Sequence, residues 1–84
     1  MSEFGHDLNA IFPDKKSLIH NLNSDNQYFK SLTGLYHHLI QEIGRIEAGL
    51  DPASDDRLEG LKKMRLAILD QVATMLAKEE GVHG

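Results

Sequence analysis

The chain contains no cysteine. That single absence removes disulfides, thiolate zinc sites and thiol nucleophiles together, and it is compatible with a reducing cytosol. Positive charge is also scarce. Lys and Arg number 9 against 13 Asp and Glu, a formal net charge of −4, so the basic field that binds a phosphate backbone is missing. No apolar run approaches the ~20 residues needed to span a bilayer. The first ten residues hold Glu3 and Asp7 and no Lys or Arg, unlike the basic start of a signal peptide. The expectation is a soluble protein of the cytoplasm. With 84 residues, one small domain buries roughly 60% of its unfolded surface, which leaves stability marginal. Without disulfides, self-association is the common remaining aid.

What the chain does have is apolar periodicity. One stripe runs Phe29, Leu32, Tyr36, Leu39, Ile43, Ile46, and a second runs Leu58, Leu61, Arg65, Ile68, Val72, Met75. Both alternate steps of three and four, the spacing of a helical seam. Folding the chain back at Pro52 pairs 29 with 75, 32 with 72, 36 with 68, 39 with 65, 43 with 61 and 46 with 58. One register therefore satisfies every layer. The fold class is all-α: an antiparallel two-helix hairpin, coiled-coil-like, preceded by a short N-terminal helix.

Local signals divide the chain further. Residues 1–12 read as a loose tail in which Ile11 and Phe12 are able to dock, and 81–84 as a C-terminal tail, with one domain over 13–80 and helices over 14–22, 25–48 and 52–80. Pro13 and Asp14 suit a helix start. The run Asn21 to Asn26, rich in turn and cap formers, should break the first helix. Ser24 or Asp25 can cap the second helix, and Gly49 should stop it. The third can begin at Asp51 and Pro52 or one turn later, at Ser54, Asp55 and Asp56. Gly81 should end it. Each long helix then has ~25 residues and spans about 37 Å.

The third helix carries more apolar surface than a hairpin needs. Beside its first seam lies Leu66, Leu69, Ala73, Leu76. Two adjacent seams demand two neighbours. The second neighbour is either the N-terminal helix, folding back through Leu18, Ile19 and Leu22, or another protomer completing a four-helix bundle. These four residues are the candidate partner-binding set. The partner would be a second copy or a larger protein, through burial of an apolar helix face.

Candidate chemistry is thin. His6, His20, His37, His38 and His83 lack the spacing that puts two ligands on one helix face, and read as surface histidines. A small metal-assisted hydrolase built on His37 and His38 is the weakest reading. No nucleophile elbow, phosphate-cradling loop or carboxylate pair in an apolar pocket is present. The expectation is no enzyme, no cofactor and no small-molecule substrate. Arg65, the one charge in the seam, should fix register while its head reaches Glu42, Tyr36 or water. Arg57, Lys62 and Lys63, with Arg45 nearby, are the candidate nucleic-acid contacts of an RNA- or ribosome-associated alternative. Glu59 among them suggests an ordinary mixed-charge helix face instead.

Some of these residues also form a familiar pattern. Phe12-Pro13 followed by Leu18-Ile19-His20-Asn21-Leu22, then Asn26-x-x-Phe29-x-x-Leu32, resembles the opening of the YdcH-like family of small bacterial proteins of unknown function. Leu61-Lys62-Lys63-x-Arg65-Leu66-Ala67-Ile68, with Asp70 and Met75-Leu76, continues the match. The resemblance spans about residues 11–79. It implies a bacterial cytoplasmic helical hairpin and carries over no catalytic or ligand residue. Leu69 stands where the family often has Lys, and Gln71 where it often has Glu. The first change widens the second apolar seam.

Overall fold

The structure, a computed structural model, describes residues 8–83. Four α-helices follow in order: α1 (Leu8–Ile11), α2 (Lys16–Asp25), α3 (Gln27–Glu47) and α4 (Asp55–His83), with a 3-10 turn at Pro13–Lys15 between the first two. No strand occurs among the described residues. The long pair α3 and α4 pack antiparallel, and α2 packs against α3. The molecule is elongated, 45 × 24 × 17 Å.

The heptad stripes form the core. Phe29, Leu32, Tyr36, Leu39 and Ile43 are buried on α3, and Leu61, Ile68 and Val72 on α4; Ile46, Leu58 and Met75 pack against them half-buried. Polar contacts keep the same alignment. Arg57 pairs with Glu42, Lys62 with Glu47 at 2.8 Å, and the Tyr28 hydroxyl donates to Gln71 Oε1 at 2.6 Å.

The connection between α3 and α4 follows from glycine. Gly49 has φ 79°, a left-handed conformation that other residues adopt at a cost. The Gly49 N–H donates to the Ile46 carbonyl (3.0 Å) and the Leu50 N–H to the Arg45 carbonyl (2.9 Å). These two bonds are the Schellman pattern, which satisfies carbonyls left free at the end of α3. Arg45 then grips Asp51 with two hydrogen bonds, Nε to Oδ2 at 2.8 Å and a guanidinium NH2 to Oδ1 at 3.2 Å. With Asp51 so engaged, α4 begins at the later of its two caps, where Ser54 Oγ accepts the Arg57 N–H at 3.1 Å.

Three boundaries differ from the sequence reading. Helix α2 runs on to Asp25, because Asn23 Oδ1 accepts the Thr33 hydroxyl (2.9 Å) instead of competing for local backbone groups. The cap of α3 is therefore Asn26, extended at φ −124°, ψ 109°, whose side chain accepts the Phe29 N–H at 3.0 Å. Helix α4 continues through Gly81 to His83. At the N-terminus, Leu8–Ile11 forms a helical turn and Leu8 is buried in the common core, where the sequence suggested a loose tail. A four-residue turn is too short to show periodicity.

Candidate interaction face

The second seam of α4 has two unlike ends. Lys62, Leu66, Leu69, Ala73, Leu76 and Glu80 step by four and three along one side of the helix, about 100° around from the hairpin seam at 100° per residue. Leu66 is 60% exposed. Leu69 and Ala73 are half-buried. Leu76 is 2% exposed and belongs to the core, together with Leu8, Ile19 and Leu22. Part of the difference is helical, since Leu66 and Leu76 lie about 80° apart around α4 with Leu76 nearer the hairpin seam, and part comes from the N-terminal segment at the Leu76 end. Lys15, where α2 begins, is ion-paired with Glu80 near the end of α4, and Asn23, near the end of α2, is bonded to Thr33. The segment thus crosses the open end of the hairpin, tied to α4 through Lys15 and Glu80 while α2 packs on α3, and it closes the end of the seam where Leu76 is buried. The other part stays open beside half-buried Ile40 of α3. Of the four candidate residues, Leu66, Leu69 and Ala73 reach this open surface and Leu76 does not.

The basic cluster is largely paired. Arg57 is held by Glu42, Lys62 by Glu47 and Arg45 by Asp51, while Lys63 is exposed. Hydrogen bonding and the charge of Asp51 push the Arg45 pKa up. The hydrogen bond from Arg45 holds the Asp51 carboxyl below its ordinary 3.8, outweighing the opposing effect of desolvation, with the charge of Arg45 adding to the downward shift. Both groups are solvent-exposed, so this clasp orders the turn more than it stabilises the fold. Arg65 is half-buried and faces buried Leu39. Glu42, one expected destination of its head, is occupied by Arg57 and lies 3.8 Å from His38.

The histidines are scattered. His37 meets Tyr36 edge-on with ring centroids 6.1 Å apart, His38 lies near Glu42, and His20 is exposed. His6 and the side chain of His83 lie outside the described residues. Among the described residues, no group of three or more His, Asp or Glu is gathered as a metal-holding set, and no helix is long and apolar enough to cross a membrane.

The opposite side of the hairpin also shows apolar surface that the two stripes do not mark. Leu35 is 43% exposed on α3, Met64 47% on α4, and Tyr28 is largely exposed. A depression of about 270 Å³, lined by Tyr28, Asp70, Gln71, Thr74 and Met75, lies at this side's open end. Leu35 and Tyr28 stand seven residues apart, a heptad step that lies just outside the main stripe of α3.

A family model described as "Protein of unknown function (DUF465)" matches residues 29–76, which is α3 from its third residue, the turn and most of α4. No curated protein and no solved structure matches.

Proposed function

The chain belongs to DUF465, the YdcH-like family, and from that premise we propose that it is a non-enzymatic helical interaction module of the cytoplasm. It docks the open part of the α4 seam on another protein chain, either a second copy or a larger partner. The observation that carries this reading is Leu66, 60% exposed, continuous with Leu69, Ala73 and Ile40. A leucine left in water forgoes ~1.5–3 kcal/mol of burial. A helix face of this kind fits a groove or a matching helix. The basic cluster argues the same way, since Arg45, Arg57 and Lys62 are each committed to an internal ion pair.

The test is the full-length double variant Leu66→Glu, Leu69→Glu. Helical content should persist, because the hairpin seam is untouched. Association, measured as mass in solution and as retention of bound protein, should be lost. Association unchanged in a folded double variant would contradict the reading. The RNA alternative, through Arg57, Lys62 and Lys63, is separated by salt. Phosphate binding weakens steeply between low and moderate salt, whereas apolar docking does not.

A further inference from the structure

The covered and open parts of the α4 seam are related by a simple pattern. Read forward, the seam is Lys62, Leu66, Leu69, Ala73, Leu76, Glu80, a positive charge, four apolar residues and a negative charge. Its steps, four-three-four-three-four, are the same in reverse. A second copy laid antiparallel on this face puts Lys62 against Glu80 of the second copy, Leu66 against Leu76 and Leu69 against Ala73. The two-fold axis repeats each contact, as a symmetric dimer requires. No like charges meet at either end.

The N-terminal segment carries the same series. Lys15, Ile19 and Leu22 are spaced four then three, as are Lys62, Leu66 and Leu69. Within the chain, Lys15 takes Glu80, the residue that Lys62 of a second copy would take. Ile19 and Leu22 enter the one core that also holds Leu76, with α2 packed on α3 at that end; Leu66 of a second copy would cover Leu76 from the α4 side. We propose that α2 is an internal substitute for the partner's helix: the true occupant of the α4 seam is the α4 of a second copy, antiparallel, and the N-terminal segment must swing away to admit it. This inference rests on the interaction reading above and adds the partner's identity, register and control.

The cover is built to exchange. Its charged anchor, Lys15 with Glu80, is at the surface, with side chains 30% and 49% exposed. The Lys62–Glu47 pair that must rearrange is similarly exposed, 43% and 50%. Exposed ion pairs of this kind are weak and readily replaced. A closed monomer and an open dimer therefore compete for one surface, and whatever draws the N-terminal segment away promotes assembly.

The experiment uses full-length variants in sedimentation equilibrium, with circular dichroism to verify helicity. Lys15→Glu sets two carboxylates together at the cover's anchor. It should lower the concentration for half-association about tenfold, the effect of ~1.4 kcal/mol. Adding Lys62→Glu should return the chain to monomer, because the introduced carboxylate then meets Glu80 of the second copy. A second opening variant, Ile19→Asp with Leu22→Asp, removes the cover's apolar anchors from the common core while leaving both heptad stripes unchanged, and should also dimerise where circular dichroism shows α3 and α4 intact. Both opening variants remaining monomeric would overturn the proposal, and so would a dimer indifferent to Lys62→Glu. If they stay monomeric while the wild-type chain binds another protein through Leu66 and Leu69, only the self-docking falls. If Leu66→Glu, Leu69→Glu alters no association of any kind, the interaction reading falls as well.

Discussion

Leu39 and Leu35 make a controlled pair. They sit one turn apart on α3, share side-chain chemistry and face different surroundings. Leu39 is 2% exposed in the seam, and Leu35 is 43% exposed beside it. Replacing each in turn with Ala changes helix propensity equally, so the difference isolates packing. For Leu39 the lost transfer energy and the cavity together cost ~2–5 kcal/mol. For Leu35 the expected cost is within ~1 kcal/mol, as for most surface sites. A domain of this size has about 4–13 kcal/mol of total stability. Leu39→Ala should therefore remove at least about 15% of it and lower Tm by at least ~8 °C. The assay is urea unfolding followed by circular dichroism, at a concentration where the mass is that of the 9.4 kDa monomer. The midpoint should fall with an unchanged slope, since the surface exposed on unfolding stays the same. Equal losses for Leu35 and Leu39 would refute the seam assignment.

Three further outcomes follow from the same structure. Gly49→Ala should cost ~1 kcal/mol or slightly more through its left-handed backbone alone, since a Cβ there meets nothing within 4 Å; Gly34→Ala, helical and equally unobstructed, should stabilise by up to ~1 kcal/mol, and denaturation midpoints compare the two. The Asp51 carboxyl, held below 3.8 by Arg45, contributes stability present above its unfolded pKa and lost as pH falls through its lower folded value; an NMR titration should move upward in Arg45→Gln, and an unmoved curve would contradict the clasp. A cysteine pair at Leu32 and Val72, facing positions in a chain without other cysteines, should cross-link within one chain, and its failure to close would contradict the register.

The sequence and the structure agree where the determinants are periodic or unique. Steps of three and four place Phe29 to Ile43 on one face whatever follows, and Pro52 leaves few places for the chain to turn. Gly49 was legible because only glycine takes φ 79° without strain. The cap of α3 was not, because Ser24, Asp25 and Asn26 are adjacent and equally competent; the Asn23–Thr33 hydrogen bond decides among them, and no local pattern encodes it. The candidate face divides in the same way. Leu69 and Leu76, one heptad apart, are indistinguishable as members of one stripe. Leu76 is buried and Leu69 only half-buried, and at the Leu76 end a segment some fifty residues earlier in the chain brings Ile19 and Leu22 into the core of the hairpin. The sequence posed the choice between an internal helix and a second protomer, and the spacing shared by Lys15-Ile19-Leu22 and Lys62-Leu66-Leu69 explains why both answers fit.

The most direct test of the central claim compares two tagged full-length chains expressed in the source cell beside an untagged copy, the wild type and Leu66→Glu, Leu69→Glu. The account predicts that the wild type retains the untagged copy of the chain itself, in the proportion that its open form allows, and that the double variant, still helical, releases it. Recovery of the same proteins in the same amounts by both chains would contradict the assignment of this face.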